Sequence, residues 1–214
     1  MKPNTKSPLR GLYAITDASL KGPAIEQQVA LAIAGGARVI QYRDKSTDAS
    51  MRQKEASAIL EVCRQHQIPL LINDDVQLAA QIGADGVHIG KDDGLLEDAR
   101  TRLGQNAIIG VSCYNQLTLA QQAVQRGADY VAFGRFFSSA TKPEAKQADI
   151  SLLKEASKKI ACPIVAIGGI TLDNGRPLIQ AGADMLAVIR GVFAANDVTA
   201  AARQLDALFP ENIA

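Results

Sequence analysis

Hydrophobic residues along this chain alternate between helical spacing and short apolar runs, and a glycine–alanine pair marks four of the transitions. Each pair follows an amphipathic stretch, so its glycine stands where a helix C-cap belongs, and a buried strand follows it. Successive copies leave room for one further strand and helix. Each copy therefore stands for two strand–helix units, and four copies give eight. Eight such units predict a (β/α)₈ barrel, the TIM-barrel fold, of class α/β. The copies span residues 36–40, 83–87, 127–131 and 182–186.

The same pattern places the individual elements. We predict strands at 12–16, 39–43, 70–73, 87–89, 108–112, 130–134, 164–167 and 185–189. Helices are expected at 23–35, 48–65, 76–82, after 93, at 117–126, at 150–160, after the seventh strand, and in one last stretch ending near 208. Residues 1–10 are predicted to form a flexible tail, and 11–214 a single catalytic domain. The long irregular stretch 135–148 is a candidate lid over the site.

Composition narrows the class of protein. The 214 residues are 47% hydrophobic, and 23 basic against 22 acidic residues give a net charge of +1. No basic run with interleaved aromatic residues is present, which argues against a nucleic-acid partner. No apolar segment is long enough for a membrane span or a signal peptide. The three cysteines form no CxxC pair, which favours reduced thiols, and we therefore expect a cytoplasmic enzyme.

The end of the second predicted strand carries cations. Alternation along the strand directs Gln41, Arg43 and Lys45 to one side, towards the mouth of the barrel. Guanidinium and ammonium groups neutralise phosphate oxygens, so this tip suits a polyanion such as a diphosphate. The alternative is a solvated strand end on which Asp44 pairs with a neighbouring cation.

Acidic residues follow the next two predicted strands. Asp75 is placed to cap the helix after it, whereas Asp74 has no such role. After the fourth strand, either Asp92 or Asp93 caps a helix and the other is free. Mg²⁺ is commonly held by one or two carboxylates together with substrate phosphates, so these tips predict a magnesium–diphosphate site beside the cations. The alternative is that they are ordinary helix-opening acids.

Two further segments could bind a phosphate. The sixth strand is followed by a loop with hydroxyls and a lysine, from Ser138 to Lys142, which is either a closing phosphate contact or a plain surface loop. Gly168 and Gly169 follow the seventh strand, and Arg190 and Gly191 open the last helix. Loops in these positions often bind phosphate through backbone amides. The sequence thus predicts two separate anion sites.

No nucleophile–base pair is evident. His66 is expected on a helix surface, and His88 in mid-strand is read as a hydrogen-bonded interior histidine. Cys113 lies near the mouth, but no histidine is arranged to activate it. Ser112 could donate a hydrogen bond to a ring. We therefore expect chemistry that cations and a metal can drive.

Taken together, the motifs resemble the thiamine-phosphate synthase family over nearly the whole chain. The matching pieces are Gln41-x-Arg43-x-Lys45, Asn73-Asp74, the block 83–90 with Asp93, 110–112, Thr141-Lys142, 166–170 and 187–189. In that family, 4-amino-2-methyl-5-hydroxymethylpyrimidine diphosphate is joined to a thiazole phosphate, giving thiamine phosphate and diphosphate.

The resemblance also implies roles for single residues. Gln41, Arg43, Lys45, Asn73 and Lys142 would hold the pyrimidine diphosphate, Asp74 and Asp93 would bind Mg²⁺, and Ser112 would contact the pyrimidine ring; Ser139, Ala140, Thr141, Gly169, Ile189 and Arg190 would face the thiazole phosphate. Arg43, Lys45 and Lys142 would act in catalysis by stabilising the leaving group. The family also suggests a homodimer, and small molecules as its substrates.

Three positions depart from the family pattern. Arg135 follows Gly134 where a proline is common, Ser139 replaces a threonine, and Arg190 stands where a serine is frequent. Three rival functions remain as alternatives: a thiazole tautomerase, a ribulose-phosphate-epimerase-like barrel, and a non-catalytic sensor of thiamine precursors. The tautomerase has no use for the diphosphate-binding residues, and the epimerase needs metal-ligand histidines that have no counterpart here.

Overall fold

Eight parallel strands close into a barrel in chain order, as predicted. The computed structural model describes residues 9–16, 23–90, 94–138 and 146–209. Within them the strands are β1 (Gly11–Ile15), β2 (Ala37–Tyr42), β3 (Leu70–Asn73), β4 (Gly86–Ile89), β5 (Ile108–Tyr114), β6 (Tyr130–Gly134), β7 (Ile164–Ile167) and β8 (Met185–Val188).

Helices alternate with the strands. They are α1 (Pro23–Ala34), α2 (Ala49–Gln65), α3 (Val76–Ile82), α4 (Gly94–Leu103), α5 (Leu117–Gln125), α6 (Ser151–Lys159), α7 (Leu172–Gln180), α8 (Arg190–Phe193) and α9 (Val198–Asp206). The prediction of one last helix was wrong, because the chain forms α8 and α9 separately. Asp197 is the N-cap of α9. Its side chain accepts a hydrogen bond of 2.9 Å from the amide of Ala200 in the first turn of that helix.

The glycine of each repeat has the backbone conformation that the pattern requires. Gly36, Gly83, Gly127 and Gly182 all have positive φ, between 69° and 110°. A side chain is strained in that region, whereas glycine adopts it freely. The turn from helix to strand is therefore made the same way in all four repeats.

An aspartate in three of the repeats ties neighbouring strands together. Asp85, Asp129 and Asp184 each accept a hydrogen bond of 2.8–2.9 Å from a backbone amide of the preceding strand, at Leu70, Ile109 and Ile164 respectively. These carboxylates fix the amino ends of β3, β5 and β7 against the strands that follow.

The first repeat has Arg38 where the others have aspartate, and a distant residue takes the missing role. Asp206, at the end of α9, lies 3.7 Å from the Arg38 guanidinium and accepts a hydrogen bond from the backbone of Leu12. Burial raises the pKa of Asp206, and the Arg38 charge opposes that rise. Asp206 on α9 thus supplies to β1 the carboxylate that Asp85, Asp129 and Asp184 supply to β3, β5 and β7.

Two apolar layers support the barrel. Leu12, Ile40, Ile72 and Phe133 belong to the layer between the sheet and the helices, where each is at most 1% exposed. A second, smaller cluster fills the barrel interior, and it consists of Tyr13, Ile15, Val39, Leu71, Tyr130, Ala132, Val165, Met185 and Ala187. These side chains fill the interior of the barrel, so it is a packed core and not a pore.

Some sequence predictions fall on other parts of the chain. Residues 1–8 of the expected tail, Lys91 to Asp93, and half of the candidate lid (139–145) lie outside the described residues. Across the described helices, none combines the length and the hydropathy needed to cross a bilayer.

Candidate active site

A cavity of about 870 Å³ opens at the carboxyl ends of the strands. Residues from all eight strands line it, including Tyr13 on β1, His88 on β4 and Val165 on β7. Its volume lies in the range typical of small-molecule sites. The location is where enzymes of this fold carry out their chemistry.

The tip of β2 supplies cations to this cavity. Gln41, Arg43 and Lys45 all line it, as the alternation predicted. The backbone amide of Arg43 donates to the hydroxyl of Thr16 at 2.9 Å, which joins the tips of β1 and β2. Among the described residues, neither Arg43 nor Lys45 forms an ion pair. Their charge is therefore available to an anionic ligand.

The tip of β3 contributes a carboxylate. Asp74 has a φ of 60°, which is uncommon for a residue other than glycine, and its amide donates to the carbonyl of His88 at 2.8 Å. Its Oδ2 accepts a hydrogen bond of 2.8 Å from the amide of Asn73, and both side chains line the cavity. The strained turn directs this carboxylate to the wall that also carries Arg43 and Lys45.

Asp75 has the structural role that its position predicts. It caps α3 by accepting a hydrogen bond of 2.8 Å from the amide of Leu78, and it pairs with the guanidinium of Arg52. Both oxygens of this carboxyl are thereby engaged, whereas Asp74 is the acid of the pair that lines the cavity.

The floor of the cavity is a chain of hydrogen bonds that the sequence analysis missed. Gln41 Nε2 donates to the Tyr13 hydroxyl at 2.6 Å, and that hydroxyl lies 2.9 Å from the Tyr130 hydroxyl. Tyr130 contacts His88 Nδ1 at 2.8 Å, and His88 Nε2 contacts Ser112 Oγ at 2.9 Å. We refer to these five residues as the floor chain.

The floor chain changes how His88 is understood. The expectation of a hydrogen-bonded interior histidine is confirmed, but His88 also lines the cavity beside Ser112. Burial raises the pKa of Tyr13 and of Tyr130, so both phenols keep their hydrogen at neutral pH. A clue was present in the sequence: two tyrosines stand in otherwise apolar strands, and buried hydroxyls need partners.

The opposite wall is built on two glycines. Gly168 and Gly169 have positive φ, and a Cβ on either would lie 2.3 Å from residues of the loop after β6, at Arg135 or Ser138. That loop contacts the end of β7 and the residue after it: the amide of Phe136 donates to the carbonyl of Ile167 at 3.2 Å, and the amide of Phe137 donates to that of Gly168 at 3.0 Å. The two glycines thus allow the loop after β6 and the loop after β7 to approach closely. Both glycines also line the cavity.

The structure brings together most of the predicted site residues. Those lining the one cavity are Gln41, Arg43, Lys45, Asn73, Asp74, Ser112, Gly169, Ile189 and Arg190. Arg135, which was singled out only as a departure, also lines it. The remaining predicted residues lie outside the described part of the chain: Asp93, Ser139, Ala140, Thr141 and Lys142.

The described residues contain no group of three or more histidine, cysteine or acidic side chains that could hold a metal alone. A single carboxylate beside two free cations matches a magnesium site that substrate phosphates complete. Cys113 is buried, and burial raises the pKa of its thiol to about 12, so it is not an activated nucleophile.

Comparison with known proteins agrees with this geometry. Residues 12–192 match the family model for thiamine monophosphate synthase. The thiamine-phosphate synthase of Nitrosococcus oceani is 54% identical over 95% of this chain and 94% of its own length; that of Methylobacillus flagellatus is 52% identical over 94% and 96%. The structure of thiamine phosphate pyrophosphorylase from Pyrococcus furiosus superposes with a TM-score of 0.83 at 33% identity, covering 92% of this chain and 94% of that one.

Proposed function

Since this chain belongs to the thiamine monophosphate synthase family and is a transferase, we propose that it joins 4-amino-2-methyl-5-hydroxymethylpyrimidine diphosphate to a thiazole phosphate. The products are thiamine phosphate and diphosphate. The observation that carries this proposal is the wall of the cavity on which Arg43 and Lys45 stand, without ion pairs among the described residues, beside the Asp74 carboxylate.

The reaction has one demanding requirement, which is the departure of diphosphate. The electron-rich aminopyrimidine can stabilise the positive charge left on its methylene carbon, so a dissociative substitution is feasible. Arg43 and Lys45 stabilise the negative charge that accumulates on the leaving diphosphate. The thiazole nitrogen then attacks the methylene carbon, and no general base is needed for that bond.

Asp74 would hold Mg²⁺ together with phosphate oxygens, and Asp93 is a second ligand on the family resemblance alone. The bound ion would add positive charge where the leaving group becomes more negative. Lys142 and the segment Ser139 to Thr141 are likewise assigned on resemblance alone. Gln41, Asn73 and Ser112 orient the pyrimidine diphosphate, and Gly169, Ile189 and Arg190 face the thiazole phosphate from the other side.

The expected size of these effects follows from charge stabilisation in enclosed sites. Removing one such group typically costs about 3 kcal/mol of transition-state stabilisation, roughly a hundredfold in rate. We expect Arg43→Ala and Lys45→Ala each to lose activity on that scale.

The experiment is an assay for inorganic diphosphate with the two substrates supplied singly and together. Release should require both substrates, and excess EDTA should suppress it. Lys159→Ala is a matched control for Lys45→Ala, since Lys159 is exposed and pairs with Glu155 on α6, outside the cavity. If the wild-type chain releases no diphosphate with both substrates and magnesium, the proposal is wrong. Full turnover in excess EDTA would show that the magnesium part of the proposal is wrong.

A further inference from the structure

The floor chain joins five of the eight strands. Gln41 comes from β2, Tyr13 from β1, Tyr130 from β6, His88 from β4 and Ser112 from β5. The two tyrosines in its middle are at most 1% exposed, so water does not compete for their hydroxyls. Its two ends, Gln41 and Ser112, both line the cavity.

The direction of each hydrogen bond follows from counting hydrogens. A phenol has one hydrogen, and Tyr13 already accepts from Gln41 Nε2, so Tyr13 must donate to Tyr130. Tyr130 therefore has to donate to His88 Nδ1. Neither phenol forms another hydrogen bond within the described residues that would offer a different acceptor.

The direction continues through the imidazole. A ring whose Nδ1 accepts is neutral and carries its hydrogen on Nε2, and that hydrogen is donated to Ser112 Oγ. The hydroxyl hydrogen of Ser112 is then left to point into the cavity. At the other end, Gln41 has used Nε2 on Tyr13, and its Oε1 is not among the buried oxygens that lack a partner.

We infer that Tyr13, Tyr130 and His88 are positioning residues that hold the Ser112 hydroxyl as a donor and the Gln41 Oε1 as an acceptor in the cavity. The inference rests on the proposed function for the identity of the ligand. The ring that fits has a ring-nitrogen acceptor for Ser112 and an exocyclic amino donor for Gln41. Specificity for an aminopyrimidine is thus set partly by Tyr130, a side chain that does not line the cavity.

The first test measures the tautomer of His88 without any substrate. The chain has two histidines, and the exposed one, His66, is removed by His66→Gln, so that ¹⁵N-histidine NMR reports His88 alone. We expect a single neutral form with Nε2 protonated and Nδ1 unprotonated. A hydrogen on Nδ1, or a mixture of forms in the wild-type floor, overturns the inference.

A pair of variants then tests whether Tyr130 fixes that tautomer. Tyr130→Phe removes the donor to Nδ1 and should give a mixture of tautomers. Tyr42→Phe is the matched control, because Tyr42 is also buried on β2 but donates to Glu55 Oε2 at 2.8 Å, away from the cavity. An unchanged single tautomer in Tyr130→Phe, or an equal change in Tyr42→Phe, contradicts the inference.

The second test is kinetic. Tyr130→Phe should lower kcat/KM for the pyrimidine diphosphate by roughly fivefold, the effect of one neutral hydrogen bond. In a Ser112→Ala background the same substitution should lower kcat/KM by clearly less than fivefold, because one of the two groups that Tyr130 positions is already gone. Losses that multiply would refute the positioning role. If the expected tautomer is found but the wild type releases no diphosphate, the proposed function fails and the assignment of donors stands.

Discussion

Replacing Gly110 with alanine should displace Tyr130 from the barrel floor. The two residues are paired across β5 and β6, and a Cβ at position 110 would lie 1.9 Å from Tyr130 Cζ and 2.3 Å from its hydroxyl oxygen. Non-bonded carbons are comfortable at about 3.5–4.0 Å, so the ring has to move by roughly 2 Å. Such a shift breaks the hydrogen bonds of Tyr130 to Tyr13 and to His88.

The cost can be assembled from these two consequences. Overpacking a filled core costs about 1–3 kcal/mol, and each lost buried hydrogen bond adds about 1 kcal/mol. We therefore expect Gly110→Ala to lower the free energy of unfolding by about 3–5 kcal/mol, a large part of the 5–15 kcal/mol typical of domains. For a chain of this size, that corresponds to a fall in Tm of about 6–20 °C.

Urea unfolding followed by circular dichroism measures this change. The control is Tyr130→Ala, which removes the ring that the new methyl group meets. Adding Gly110→Ala to that background should cost much less than it does in the wild type, because the obstacle is gone. If Gly110→Ala costs less than about 1 kcal/mol, below the range for overpacking, or if the two substitutions are additive, then the ring does not occupy the space that the structure gives it.

Three further outcomes are expected. Asp129→Ala should lower the free energy of unfolding by about 2–3 kcal/mol, because it removes the acceptor of a strand amide and the partner of Arg100; Asp129→Asn, which keeps an oxygen, should cost less in the same denaturation assay. Burial raises the pKa of Cys63 and of Cys113 to about 12, so both thiols should react slowly with Ellman's reagent at pH 8 until urea is added; because Cys162 is only partly buried, the assay uses a Cys162→Ser variant, and its fast labelling in the folded state would contradict the burial of the other two. Burial and the neighbouring Glu55 also raise the pKa of Tyr42 above its ordinary 10.0, so the folded state loses stability as the pH rises beyond about 10, and Tyr42→Phe should flatten that loss in thermal melts at increasing pH.

The barrel and the tip of β2 could be predicted because their signals are local. A glycine at the end of a helix, and alternation along a strand, depend on residues a few positions apart. Gln41, Arg43 and Lys45 therefore reach the cavity as the alternation indicates. The roles assigned to them still rest on the family and on the experiments proposed above.

The floor chain could not be predicted in this way. Tyr13 and Tyr130 are 117 positions apart, and nothing near either one indicates its partner. The same holds for Asp206, which takes the place of a repeat aspartate at the other end of the chain. Such contacts depend on barrel closure, which places β1 and β6 on opposite sides of one interior. The break between α8 and α9 is different, since Asp197 was a local signal that was overlooked.

The position of Asp206 has a consequence for synthesis of the protein. In the pairs β3–β4, β5–β6 and β7–β8, the aspartate that bonds the neighbouring strand lies between the two strands in the sequence. Each of these hydrogen bonds can form as soon as that stretch has been translated. The first pair must wait for α9, because the backbone of Leu12 bonds Asp206 at the end of that helix. A growing chain therefore lacks the carboxylate that fastens its first two strands until α9, the last helix of the described residues, has been made.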